Sequence, residues 1–248
     1  MIEISFAQTE SAFEDYITRM NLLFAEQVRR EDPGLVTPWI FRGVSNSAHS
    51  LQVSLKWARQ NLAGTPTAPV PHSGEGEVEM FTQFKNWALD SGAVPPRFRM
   101  TELDWLCLAR HHSLPCRVLD WSENPLVALY FGCFHMGSEN EAAVYAVPRP
   151  PMATPSEVEN PFDITIIKAY RPSPISPRVI GQNSLVTVHP MPLEEYRPDL
   201  GYKYLFPKEV QGEIKHYLHH YGIHHRSLFG DLDGVAHHLR WLYKWNVL

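Results

Sequence analysis

The chain has 248 residues, 44% of them hydrophobic and 20% charged, which is enough apolar material for one large core and points to a single globular domain. A formal charge of −5 and a pI near 6.2 argue against a protein that holds nucleic acid mainly by neutralising phosphates, leaving only a local basic groove open. Cys107, Cys116 and Cys133 have no C-x-x-C spacing, the first residues lack a signal-peptide pattern, and no window nears the roughly 18 apolar residues of a spanning helix, so reduced thiols, a cytoplasmic location and no membrane association are expected.

In chain order, Ile2 to Phe6 reads as a short strand. Ser11-x-x-Glu14 is a capping-box pattern ahead of Phe13, Ile17, Met20 and Phe24 at helical spacing, and Glu31-Asp32-Pro33-Gly34 breaks that helix. Trp39-Ile40-Phe41-Arg42-Gly43 follows as a strand with one arginine among apolar neighbours. Arg42 either pairs with a structural carboxylate or offers its planar fork to a phosphate or carboxylate ligand. Gly43 permits close backbone approach or a positive φ. Ser54 to Leu62 looks helical, Ala63 to Gly76 reads as a surface loop or mobile flap, and Met80, Phe81, Phe84 and Ala88 space a helix over Glu77 to Leu89.

The stretch from Leu106 to Phe134 changes character most abruptly. Thr101 with Asp104 caps a helix that carries Leu103, Leu106 and Cys107 on one face and ends at Ser113-Leu114-Pro115. A short strand, Cys116 to Leu119, leads into the polar turn Asp120-Trp121-Ser122-Glu123-Asn124, and Pro125 suits the first position of the next helix. That helix, Leu126 to Phe134, is apolar almost all round and must be buried, so the turn before it is held against a core. The active or binding site is expected there. Asn124 is the better placed N-cap, which would leave the Ser122 hydroxyl for a ligand.

Further on, Ala142 to Val147 reads as a strand, and the proline-studded passage Pro148 to Pro161 is expected to hold neither a regular helix nor a central strand. Ile164 to Tyr170 and Leu185 to Val188 read as strands around a second interruption at Pro172, Pro174 and Pro177. Val210, Ile214, Tyr217, Leu218 and Tyr221 line a helix closed by Gly222. Leu232, Val235, Ala236 and Leu239 line another that Asp231 caps. Without regular βαβ alternation the expectation is α+β: one domain over 1–248, a central mixed or split β-sheet with flanking helices, and 1–38 as an N-terminal helical extension.

Phe41-Arg42-Gly43, Arg117-Val118-Leu119-Asp120-Trp121-Ser122 and Pro125-Leu126-Val127-Ala128-Leu129-Tyr130-Phe131 together resemble the bacterial and phage FRG-domain family, from about Trp39 to Leu239 and including IHHRSLFGDLDGVA at 223–236. Val44 stands where that family commonly has glutamine, Arg110 and Ser113 replace a usual glutamine and glycine, Cys116 replaces a common threonine, and Gln182-Asn183-Ser184 replaces Gln-x-Gly. A weaker similarity links an early-strand arginine, a serine-bearing turn and a helix x-Pro-x-x-Ala-x-x-Phe to the ADP-ribosyltransferase layout. That similarity implies NAD as substrate, held by Arg42 and Ser122. Gln182 would occupy the place of the glutamate that orients the nucleophile, and an amide cannot serve as a base. Arg42, Ser122 and Gln182 are therefore the candidate catalytic residues, and Arg42, Gly43, His111, His112, Asp120 and Trp121 the candidate ligand contacts.

Each has a plainer reading. Asp120 either stabilises positive charge on ribose or bonds turn amides, the histidines either meet ribose and diphosphate or satisfy backbone carbonyls, and Trp121 either stacks on a ring or fills core. Cys107-x-x-x-His111-His112-x-x-x-Cys116 has zinc-type residues but no standard spacing, and His216, His219, His220, His224 and His225 read as a solvated face, so no metal is expected. Neither Gly-x-Ser-x-Gly, a Walker run nor Gly-x-Gly-x-x-Gly occurs. Three functions stay in view: an NAD-using transferase or glycohydrolase with an unidentified macromolecular acceptor, a non-catalytic module for a small nucleotide ligand, and a toxin or phage-defence effector acting on nucleic acid.

Overall fold

A computed structural model describes residues 1–7, 11–28, 38–60, 75–92, 99–134, 140–174 and 177–247. The expected break at Glu31 to Gly34 and the expected loop from Ala63 to residue 74 lie outside them; Glu75 and Gly76 already open a helix. The strands are β1 (Ile2–Ser5), β2 (Trp39–Val44), β3 (Val118–Ser122), β4 (Ala142–Pro148), β5 (Lys168–Tyr170), β6 (Ser184–Val188) and β7 (Tyr202–Phe206). They form one sheet in the order β1-β7-β4-β2-β3-β6-β5. β1 runs parallel to β7 and the other neighbours are antiparallel, so the sheet is mixed and the protein is α+β.

Strand alternation sends successive side chains to opposite faces. On one face, Phe41, Val144, Ala146, Tyr204 and Phe206 meet helices α1 (Ala12–Val28), α5 (Pro125–Gly132) and α8 (Lys208–His220). Farther along, Val118, Val186 and Val188 meet α3 (Glu75–Asp90) and α4 (Glu102–His111). Ile40, Leu119, Trp121, Tyr145, Val147 and Leu185 form a separate cluster with Leu51 and Val53, next to α2 (Ser54–Gln60). The helix after the polar turn is buried as its composition requires: Val127, Ala128, Leu129 and Tyr130 are all in the core. Asn124 accepts the Leu126 N–H at 2.9 Å with Pro125 next in line, and the Thr101–Asp104 capping box of α4 is closed in both directions.

Several elements differ from expectation. The proline-rich passage holds a one-turn helix, α6 (Pro155–Glu159), because Thr154 and Glu157 complete a capping box and Pro155 sits where its missing N–H costs nothing. The expected strand over Ile164 to Tyr170 shrinks to β5, while Ile164 is a buried core residue without strand pairing. β7 was not expected; it is five residues bounded by Gly201 and Pro207 and exists through its partners β4 and β1. Short helices α7 (Pro177–Gly181) and α9 (His225–Phe229) precede α10 (Leu232–Lys244). Asp231 caps α10 as expected, accepting from Gly234 at 2.7 Å, but the helix is rolled: Leu232 is 86% exposed, Leu239 is exposed too, and Gly234 and His238 face inward. Close packing explains the roll, since Gly234 brings α10 onto Phe229 and the backbone at His225, where a Cβ would lie 3.0–3.2 Å from its neighbours.

Candidate functional site

The middle of the sheet is where the site is built. β2 and β3 are antiparallel neighbours, yet their ladder pairs Phe41 with Ser122 alone, while β2 continues along the whole of β4. Past that pair the two strands part, and carbonyls that a ladder would have used need other donors. Arg42 supplies one: its Nη1 donates to the backbone oxygen of Asp120 at 2.7 Å and stands 3.9 Å from Oδ2 of the same residue. The parted strands open a cleft of about 510 Å³ whose wall includes Arg42, Gly43, Arg110, His111, Asp120 and Ser122. Trp121 and Gln182 reach it as well.

Asp120 is shared by two arginines. Arg110, from the last turn of α4, places Nε and Nη2 each 3.0 Å from Oδ2, and this carboxylate raises the Arg110 pKa. Burial lowers that of Arg42, offset in part by Asp120 and reinforced by Arg110. Two guanidiniums face one carboxylate, and that carboxylate's side chain is 48% exposed, so the cleft wall carries an excess positive charge within reach of solvent. Arg110 was not among the sequence-derived candidates; a basic residue in the last turn of the helix that precedes β3, ten residues before Asp120, is the signal that bore on it.

Gly43 acts through close approach. A Cβ there would lie 1.8 Å from the carbonyl oxygen of Ala128 and 2.5 Å from the Gly132 nitrogen, so α5 rests directly on the strand. Of the two histidines, His111 lines the cleft, whereas the His112 ring lies 6.2 Å from that of Phe84 on α3, away from it. Ser113 takes φ +66°, the left-handed region that glycine enters freely, which accounts for a glycine being usual at this position of the resembled pattern. Trp121 presents only part of itself to the cleft. Its ring is buried in the core and its indole N–H donates to Thr187 Oγ1 at 2.8 Å. Thr187 Oγ1 in turn is 2.9 Å from Nε2 of buried His189, a ring whose pKa burial and then Arg42 push down to about 4. This relay had no signal in the sequence, because Thr187 and His189 lie about 65 residues from Trp121 and meet it only across the β3–β6 ladder.

Ser122 corrects an expectation. Asn124 does cap α5, but Ser122 is not thereby left free: its Oγ donates to the Gln182 carbonyl at 2.7 Å and accepts the Asn124 N–H at 3.0 Å, with the residue 5% exposed. Gln182 is tied as well, its side-chain Nε2 donating to Leu228 O at 3.3 Å. Ser122 therefore staples the polar turn to the segment that carries Gln182. Replacing Ser122 by alanine is expected to cost about 1–3 kcal/mol in denaturant melts, at least as much as the roughly 1 kcal/mol for Asn124→Ala, since it takes the partner from two part-buried backbone groups. A Ser122→Ala protein as stable as wild type would return the hydroxyl to the ligand-binding reading.

Arg117, at the head of the Arg-Val-Leu-Asp-Trp-Ser run, faces away from all this. It is 4% exposed, pairs through Nε and Nη2 with Glu77 Oε2 at 3.0 and 2.9 Å, and its guanidinium carbon sits 4.7 Å from the centre of the Phe162 ring. Its own backbone N–H donates to Glu77 Oε1 at 2.7 Å. That arginine is a strut between α3 and β3.

No helix of the described residues is long and apolar enough to cross a membrane. The chain matches no curated protein and no solved structure. A family model, FRG domain, matches residues 37–141. The match spans β2 to the threshold of β4 and so contains Arg42, Gly43, Arg110, Asp120 and Ser122, while Gln182 and the passage 223–236 lie beyond it. The strand bearing Phe-Arg-Gly and the strand bearing Leu-Asp-Trp-Ser, which part to open the cleft, thus both lie within one recognised unit: over residues 37–141 this chain carries an FRG domain.

Proposed function

We propose that the cleft between β2 and β3 binds NAD or a related nucleotide, acting as a ligand-binding module in preference to a transferase. The observation that carries the reading is the Arg42–Asp120–Arg110 group, two guanidiniums over one half-exposed carboxylate at the wall of a cleft. A diphosphate is the anion whose paired oxygens suit such forks. The volume of about 510 Å³ falls within the range of small-molecule sites. His111 and Gln182 offer hydrogen bonds of the kind a ribose takes up, and Phe131, Phe134 and Phe229 supply apolar wall for a base.

Binding is favoured over turnover for a chemical reason. Cleavage of a nicotinamide–ribose bond builds positive charge on the sugar and needs a carboxylate free to face it. Asp120 is already engaged by two arginines, the Ser122 proton is committed to a carbonyl, and Gln182 is an amide. Calorimetry with NAD, ADP-ribose and AMP, together with an assay for released nicotinamide, tests the reading: saturable binding without release is expected. Arg42→Lys keeps the charge but loses the fork, and should weaken binding by about 1–3 kcal/mol while the melting temperature changes little. Unchanged affinity with a lowered melting temperature would make Arg42 a strut for the Asp120 carbonyl and nothing more, and absence of binding to all three nucleotides would end the proposal.

A further inference from the structure

The histidines near the C-terminus do not form the solvated face expected of them. α8 carries His219, His224 stands just before α9, and α10 turns His238 inward, where it is 8% exposed. The rings of His224 and His238 stack with centroids 4.1 Å apart, and His219 lies 5.2 Å from His238 and 5.7 Å from His224. One ring nitrogen from each residue lies within 4.8 Å of those of the other two. The three line a second cavity, of about 410 Å³, on whose wall Lys215, Arg240, Lys244 and Trp241 also stand.

Such an arrangement is poor packing for its own sake. Imidazoles bury little apolar surface, and a buried ring nitrogen without a partner forfeits the hydrogen bond it had with water. No hydrogen bond joins these three rings, and among the described residues His219 Nδ1 is a buried polar atom that has no partner at all. Three elements distant in local geometry nevertheless deliver three nitrogen donors to one point.

We propose that His219, His224 and His238 form a three-imidazole site for a divalent transition-metal ion of the zinc class. Imidazole nitrogen suits zinc, cobalt, nickel and copper, whereas magnesium and calcium select oxygen ligands, and here no carboxylate joins the group. A metal at about 2.0–2.1 Å from each nitrogen draws the rings closer than their present 4.8 Å spread. His224 is the ring that adjusts. Its Nδ1 accepts the Ser227 N–H at 3.1 Å as the N-cap of α9, which leaves the proton of the neutral ring on Nε2. Ligation through either nitrogen frees a lone pair only if that cap bond is given up, so metal binding exchanges one contact of the first turn of α9 for a ligand bond. Three protein ligands leave a fourth position open. The cations Lys215, Arg240 and Lys244 on the same wall oppose a bare dication and favour an anion, hydroxide or phosphate or carboxylate, as the fourth ligand.

The test uses the full chain prepared without a polyhistidine tag and stripped with chelator, titrated with Co²⁺ and then with Zn²⁺. Expected are one equivalent of saturable Co²⁺ binding with the visible bands of a four- or five-coordinate ion, displacement by Zn²⁺, and a melting temperature that rises with metal. His219→Ala and His238→Asn should each weaken binding by more than about tenfold, the least that losing even a supporting contact costs a metal site. The exposed neighbour His220, replaced by alanine, should leave it unchanged. If buried His238→Asn fails to fold, the less buried His219→Ala decides, alongside the metal-dependent melting of the native chain. Absence of saturable binding in the micromolar range overturns the proposal. So does binding that survives His219→Ala, which would assign the ion to surface histidines.

Discussion

Glu77→Ala should destabilise the protein by about 3–5 kcal/mol, because it leaves the Arg117 guanidinium buried with no counter-charge. Its remaining contacts would be the Phe162 ring and, through Nη1, the Phe162 carbonyl at 3.5 Å. Glu77 and Arg117 are 3% and 4% exposed, so solvent cannot take over the lost partner, and the backbone N–H of Arg117 is orphaned at the same time. Urea unfolding of the single variant measures the loss. Replacing both residues by apolar ones, as in Glu77→Met with Arg117→Leu, should restore a large part of it, since an ion pair removed whole leaves no buried charge behind. A loss below about 1 kcal/mol for Glu77→Ala would mean that water reaches the pair, and the strut between α3 and β3 would be refuted.

Gly43→Ala should be the most damaging small substitution in the cleft wall. The added methyl would sit 1.8 Å from the Ala128 carbonyl oxygen and 2.5 Å from the Gly132 nitrogen, both backbone atoms of α5, so no side chain can swing aside to admit it. The helix must move off the strand. Overpacking of this kind costs about 1–3 kcal/mol and more where the backbone is the obstacle. Because α5 also places Ala128 and Phe131 on the cleft wall, nucleotide affinity should fall with stability. Gly132→Ala is the internal control: its nearest neighbour would be the Ala143 oxygen at 3.4 Å, an ordinary contact, so thermal melts should find it close to wild type. Equal melting temperatures for Gly43→Ala and wild type would show that α5 does not rest on β2 as described.

The two variants also separate what the shared motif is for. Arg117 and Gly43 are packing residues, Ser122 and Trp121 are held by hydrogen bonds within the fold, and the charge that faces the cleft comes from Arg42, Arg110 and Asp120. A mutational survey that reads every residue of the motif as functional would merge these roles, whereas pairing each binding measurement with a melt keeps them apart.

Local chemistry was legible in the chain alone. The capping residues Thr101, Asn124 and Asp231, the buried character of the helix after Pro125, and the α+β class follow from interactions spanning a few residues or from summed pattern, and each stands in the fold. Motif order was enough to bring Arg42, Asp120, Ser122 and Gln182 to one neighbourhood. What tertiary structure alone decided is which groups on each residue are already spent. A serine beside a cap residue has the same sequence whether its hydroxyl is free or bound to a carbonyl 60 residues away. The apolar stripe of α10 predicted an inward Leu232, but Gly234 allows a closer approach on another face and turns His238 inside instead. β7 had no turn signal beyond Gly201 and Pro207 to set it apart from the passage before it, and it forms because β4 and β1 satisfy its backbone. In each case the deciding contact joins segments far apart in the chain, and side-chain spacing carries no information about a partner that only the folded chain brings near.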